Sequence, residues 1–247
     1  MRLTLQRAFS TLAIVFFLTT IASAQTGNPL PSAEDVVGKM MQFDAQRQSQ
    51  LTGYTAIRRY VAVNKSRRAE MLVHVDCASD GAKQFTVLSE EGSGSIRKHV
   101  FHKLLSEETE ASRHGTRNSS RLTPANYDFQ FVGQEKLETG PAYVLAVSPK
   151  TANKYLIDGK IWVDANDYSI VRIEGQPARN PSFWVRNVHF VHTYGKVGPF
   201  WFASATRTKS EIRIFGSSEL TIENSDYTLN PPIDQISEAD RQARLIP

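Results

Sequence analysis

The sequence predicts a mainly β protein of the α+β class: an antiparallel sheet of about ten strands accompanied by two helices. Short segments rich in β-branched and aromatic residues fill most of the chain beyond residue 53. Clusters of Gly, Pro, Asn and Asp separate them at short intervals, and helical periodicity occurs in only two places. Because the connections are short, we expect consecutive strands to be antiparallel neighbours.

The first residues predict export from the cytoplasm. Arg2 and Arg7 give a positive region, an uncharged apolar run covers Ala8 to Ala22, and Ala22-Ser23-Ala24 has the small-x-small pattern of a signal-peptidase site. The run is short for a membrane anchor, which needs about 20 apolar residues. We therefore predict a signal peptide over residues 1–24, cleaved after Ala24, and a single domain over residues 25–247.

The first helix is predicted from about Ala33 to Leu51. Ser32 is a suitable N-cap, acidic residues occupy the first turn, and Gly53 marks the end. Its apolar side comprises Val36, Val37, Met40, Met41 and Phe43.

Three strands follow, read from "YTAIRRYVAV", "EMLVHVDC" and "QFTVLSEE". A second helix is predicted from Ser95 to Ala111, with Ser93 or Ser95 as its N-cap. It is amphipathic: apolar residues recur at helical spacing at Ile96, Val100, Phe101, Leu104 and Leu105, and charged residues occupy the opposite side. The basic stretch from Ala111 to Arg121 predicts a loop.

From Tyr127 onward the chain predicts seven further strands and then a polar tail. "DGKIWVDANDYSIVRIEG" is typical of a hairpin, because "DAND" supplies turn-forming Asp and Asn between two apolar runs. In "FWVRNVHFVHTY" both strand faces are substantially apolar. Two interpretations remain open: helices cover one face while the sheet curls onto itself, or one face lines an apolar cavity for a ligand.

Catalytic and metal-binding patterns are weak. His99 and His102 share a helical face without an HExxH pattern, whereas His189 and His192 point to opposite faces of a strand. "EGSGSI" lacks the spacing of a nucleophile elbow, and the single Cys77 excludes an internal disulfide. Without Arg2 and Arg7, 27 basic residues face 25 acidic ones, which does not favour a nucleic-acid partner. We predict no enzyme activity, no cofactor and no metal.

The order of elements resembles the bacterial outer-membrane lipoprotein-sorting family, the LolA/LolB-like carriers. The stretches that carry the resemblance are "QFTVLSEEGSGSIRKHVFHKLLSEE", "PANYDFQFVGQEK", "GKIWVDANDYSIVRIEG" and "PSFWVRNVHFVHTYGKVGPFW". It implies a strongly curved antiparallel half-barrel covered by helices, with an apolar interior for acyl chains. The implied lid residues are Val100, Phe101, Leu104 and Leu105, and the implied wall residues are Trp162, Trp184, Phe190 and Trp201. The lid-holding arginine of the family has no evident counterpart, since Lys83 lies near the expected place but does not match.

The resemblance implies a periplasmic carrier that binds the acyl chains of lipoproteins, or other lipids, for transport toward the outer membrane. Its implied partners are an inner-membrane donor and an outer-membrane acceptor protein, with transient membrane contact. One alternative is an envelope sensor that binds a partner protein through the same fold. Another is a metal-dependent hydrolase that uses His99 and His102.

Overall fold

The computed structural model describes residues 30–230 apart from residues 66, 114–119, 181–182, 184 and 213–215. The predicted signal peptide, most of the basic loop and the polar tail after residue 230 therefore lie outside the described residues. Trp184, one of the implied wall residues, lies outside them too.

Both predicted helices are present. Helix α1 spans Ala33–Gln50 and begins with a capping box, in which Ser32 and Asp35 each accept a hydrogen bond from the other's backbone N–H. The second helix covers residues 94–111 in three consecutive segments: an α-helical turn (Gly94–Ile96), a π-helical turn (Arg97–Phe101) and a longer α-helical segment (His102–Ala111). Ser93 is its N-cap residue, although its side chain makes no capping hydrogen bond.

Ten antiparallel strands form one sheet in the described part of the chain, which confirms the predicted strand number. They are β1 (Gly53–Asn64), β2 (Arg67–Ala78), β3 (Lys83–Gly92), β4 (Tyr127–Leu137), β5 (Gly140–Pro149), β6 (Ile157–Asp164), β7 (Ile170–Pro177), β8 (Val185–Val197), β9 (Phe200–Ile212) and β10 (Gly216–Leu229).

The spatial order is β3-β2-β1-β10-β9-β8-β7-β6-β5-β4, so the sheet is open and its edge strands are β3 and β4. Consecutive strands that are joined by short turns are neighbours, as predicted, whereas β3 and β4, which the second helix separates along the chain, are not. The second helix carries the chain away from β3, and β1 pairs instead with the last strand, β10. The sheet is the curved half-barrel that the resemblance implied.

One row of paired residues crosses nine of the ten strands on the same face of the sheet, because directly paired antiparallel residues project to the same side. From β2 to β4 the row is Met71, Tyr60, Ile222, Thr206, His192, Ile173, Ile161, Leu145 and Phe131. Both helices pack against this face, which we call the inner face.

Each helix covers one end of the inner face. Helix α1 inserts Val36, Val37 and Met40 into a buried cluster with β5, β6 and β7. The second helix inserts Ile96, Phe101 and Leu105 into a separate cluster on β1 and β2. The central strands β8, β9 and β10 lie between these two clusters.

Candidate ligand-binding groove

A groove runs over the central strands between the two helices. Residues of α1, of the second helix and of the inner face line three adjoining spaces of about 510, 410 and 400 Å³. Lys83 lines all three. Spaces of this size are in the range that accommodates small ligands. We use "the groove" for these three spaces together.

Apolar residues form much of the groove wall. Near α1 these are Met40, Met41, Leu51, Phe200 and Phe202. Over the central strands they are Leu122, Ile157, Ile173 and Ile222.

The floor of the groove is more polar than its walls. His192 of β8 lies with Nδ1 2.7 Å from the hydroxyl of Thr206 on β9. Burial lowers the pKa of His192 to about 4, so its imidazole is neutral at pH 7. Burial raises the pKa of Tyr194, two residues along the strand, to about 12. The floor therefore offers uncharged hydrogen-bonding groups beside the apolar walls.

One side of the groove is formed by three charged residues. Arg58 of β1 is 7% exposed, and its Nη1 donates to Oε2 of Glu108 on the second helix at 2.6 Å. Lys83 of β3 donates from Nζ to the other oxygen, Oε1, at 2.8 Å. Burial opposes ionisation of Glu108, but the Lys83 ammonium and the Arg58 guanidinium hold the pKa of its carboxyl below the usual value. We call these three residues the charged triplet.

The charged triplet attaches the second helix to the sheet through Glu108. The spacing of apolar residues in the helix did not indicate this contact. Arg58 also donates from Nε to Asn224 of β10 at 2.6 Å and lies 5.5 Å from the ring centroid of Phe85. The sequence did contain a signal for this contact, because Arg58 lies two residues from both Ala56 and Tyr60 and therefore shares their strand face. Ala56 and Tyr60 are both buried. A charge at such a position requires a partner, and in the structure that partner is Glu108 of the second helix.

The four implied lid residues lie on the second helix and pack toward the sheet. Phe101 is fully buried, with its ring centroid 5.8 Å from that of Tyr60, and Leu105 is 9% exposed. Val100 and Leu104 are partly buried against the same cluster. The helix is therefore held down by apolar packing as well as by the charged triplet.

The implied wall residues occupy different environments. Phe190 is on the inner face, in the cluster that α1 covers, and its ring centroid is 4.7 Å from that of His192. Trp201 lines the part of the groove near α1 and donates from Nε1 to Asp167 at 2.9 Å. Partial burial opposes ionisation of Asp167, but this bond and one from Lys196 lower its pKa to about 2.

Trp162 faces away from the groove. Its neighbour Ile161 belongs to the inner-face row, and successive side chains of a strand point to opposite faces. On that outer face, Trp162 stacks under Arg172, whose Cζ is 4.7 Å from the ring, and donates to Glu135 at 2.6 Å. We therefore leave Trp162 out of the groove wall.

The two histidines of the hydrolase alternative are exposed on the second helix. Nε2 of His102 lies 2.8 Å from Glu90 of β3, which also accepts from Arg97. Among the described residues, no three side chains of His, Cys, Asp or Glu are grouped as metal ligands would be. No described helix has the length and hydropathy of a membrane-spanning segment.

Known protein families and curated proteins gave no match to this sequence. Solved structures with a similar arrangement include a DUF1329 family protein from Desulfovibrio piger, at 11% identity and a TM-score of 0.44, covering 81% of this chain and 94% of that one. Another is a domain from Vibrio parahaemolyticus that is described as an outer membrane lipoprotein-sorting protein domain. It is 13% identical, with a TM-score of 0.38, and the match covers 78% of this chain and 93% of that one. A LolA superfamily protein from Nitrosomonas europaea is 9% identical, with a TM-score of 0.36, and the match covers 81% of this chain and 94% of that one. The last two bear the names of the group that the sequence resembles.

Proposed function

We propose that this protein is a periplasmic carrier, and not an enzyme, which binds the acyl chains of lipoproteins or of other lipids in the groove and passes them toward the outer membrane. The observation that carries the proposal is the groove over the central strands, which lies between the two clusters that the helices cover. Apolar wall residues there would shield acyl chains from water, which is worth about 0.8 kcal/mol for each buried CH₂ group. The signal peptide predicted over residues 1–24 supports the periplasmic location.

Loading and release would involve movement of the second helix. Its attachment to the sheet combines apolar packing at Phe101 and Leu105 with the charged triplet at Glu108. An inner-membrane donor and an outer-membrane acceptor would be the partners that promote this movement, with transient membrane contact.

Native mass spectrometry combined with lipid extraction tests the proposal on the mature protein, purified from the cell envelope without detergent. We expect acyl lipid or lipoprotein to co-purify with the wild type. Ile222→Asp, which places a charge in the groove over the central strands, should abolish this co-purification.

Leu88→Asp is the matched control, because Leu88 on edge strand β3 is 51% exposed and the substitution should leave the bound lipid in place. Thermal unfolding of both variants establishes that they are folded. A wild-type protein that carries no lipid and takes up no neutral apolar dye would contradict the carrier function.

The sensor alternative is favoured by a different observation, the two open edges of the sheet. Val87 and Leu88 on β3 and Val132 on β4 are exposed aliphatic residues, and an exposed edge strand can pair with a strand of another protein. Under this alternative, the same spectra would show a stoichiometric protein partner and no lipid.

A further inference from the structure

We propose that the ligand of the groove is an amphiphile with an anionic head group, a carboxylate or a phosphate, and that Lys83 binds this head group. The inference rests on the proposed carrier function and adds the chemical class of the ligand.

The charged triplet has one positive charge in excess. Arg58 and Lys83 bind separate oxygens of the same carboxylate, Glu108. Within the described part of the chain, neither cation pairs with a second carboxylate. Glu108 is ionised at neutral pH, because both cations lower its pKa. Two cations and one anion leave a net charge of +1 on the triplet, at a place where solvation is incomplete and an unpaired charge is costly.

Lys83 is the member of the triplet that a ligand can reach. Its side chain is 25% exposed, compared with 8% for Arg58, and it faces all three spaces of the groove. An ammonium group has three donor hydrogens, and Glu108 takes one of those on Lys83. The remaining donors can bind the oxygens of a carboxylate or phosphate without breaking the contact that holds the second helix.

Lys83 borders two spaces that also have apolar residues in their walls. Leu51 and Phe202 line the space near α1. Ile173 and Ile222 line the space over the central strands. A cation that borders two partly apolar spaces matches a molecule with a charged head and one or more acyl chains. A neutral lipid would leave the excess charge unpaired.

The test measures displacement of a neutral dye, N-phenyl-1-naphthylamine, from delipidated mature protein. The competitors share one 16-carbon chain and differ only in the head: hexadecanoate, hexadecyl phosphate and hexadecanol. Inorganic phosphate alone is the fourth competitor. We expect the two anionic amphiphiles to bind at least about tenfold more tightly than hexadecanol, since a charge-assisted hydrogen bond is about twice as strong as a neutral one.

Two substitutions in the triplet should change this preference in opposite directions. Lys83→Met should reduce the ratio of anionic to neutral affinity about tenfold. Glu108→Gln should raise the ratio, because it leaves both cations without a carboxylate. Lys209→Met is the matched control: Lys209 on β9 is 77% exposed and pairs with Glu219, and its loss should leave the ratio unchanged. A merely structural role for the triplet would alter all three affinities together and leave the ratio constant.

Equal affinity for the three amphiphiles, with no effect of Lys83→Met, would overturn the head-group assignment while leaving the carrier function intact. Binding of inorganic phosphate as tightly as hexadecyl phosphate would overturn it too, because the site would then recognise a free anion. Preference for hexadecanoate or for hexadecyl phosphate decides between a fatty acid and a phospholipid source. If neither dye nor any amphiphile binds, it is the carrier function itself that fails.

Discussion

Protonation of His192 should destabilise the folded protein as the pH falls below neutrality. In the folded state, burial lowers the pKa of this imidazole from 6.5 to about 4. In the unfolded chain it regains its ordinary value of about 6.5. Between these two pH values the unfolded state binds the proton more readily than the folded state does. The folded protein is therefore most stable, with respect to this group, above about pH 6.5, and it loses that stability as the pH falls from 6.5 toward 4.

The size of the effect follows from the two pKa values. At pH 5 nearly all unfolded molecules carry the proton on this residue, whereas about a tenth of folded molecules do. Relative to pH 7, the difference corresponds to a loss of about 2 kcal/mol in the free energy of unfolding. His192→Gln removes the titrating group and keeps a side chain that can bond to Thr206.

Urea denaturation at pH 7 and pH 5, followed by far-UV circular dichroism, measures this loss for the wild type and two variants without ligand. His192→Gln should lose about 2 kcal/mol less than the wild type between the two pH values. His189→Gln is the control, because His189 on the same strand has a side chain that is 56% exposed, and it should behave as the wild type does. A difference below about 0.5 kcal/mol between His192→Gln and the wild type would refute the reasoning, since it would mean that the imidazole is protonated equally in both states.

Two further predictions concern packing. Phe101→Ala should lower the free energy of unfolding, measured in urea, by about 3–5 kcal/mol, because the Phe101 ring is fully buried between the second helix and the sheet. The control is Val87→Ala, at a residue that is 40% exposed, which should change the free energy of unfolding by less than about 0.5 kcal/mol. Similar effects of the two substitutions would show that the second helix is not docked on the sheet. Gly175→Ala should lower the midpoint temperature of thermal unfolding, because the added Cβ atom would lie 2.4 Å from the backbone oxygen of Asp158. The control is Gly38→Ala in α1, where the added Cβ atom meets nothing within 4 Å, and this substitution should raise the midpoint temperature. An unchanged midpoint for Gly175→Ala would contradict the close approach of β6 and β7.

The local elements could be predicted because their signals are local. The Ser32 capping box lies within one helical turn, and the hairpin between β6 and β7 is closed by Asp164, whose side chain accepts from the backbone N–H groups of Asn166 and Asp167. Such hydrogen bonds join residues two or three positions apart, so residue type and spacing suffice to indicate them.

The faces of the strands were harder to predict, since a bulge changes which side chains share a face. Register shifts occur at Trp162 in β6, and in β8 between Arg186 and His189 and again beyond Thr193. The resemblance implied both Trp162 and Phe190 as wall residues, and the alternation in the sequence left the inward face unassigned. The structure places the two side chains on opposite faces.

The sequence by itself determined the type, number and approximate bounds of the helices and strands, because hydrophobic periodicity and turn chemistry act over a few residues. Only the tertiary structure decided that β1 pairs with β10, which brings Arg58 to Asn224 across 166 positions of the chain, and that the second helix brings Glu108 to Arg58 across 50. The groove and its charged triplet exist only through these distant pairings. Their physical basis is the burial of the inner face as a whole, a property of the assembled sheet that no short stretch of sequence contains.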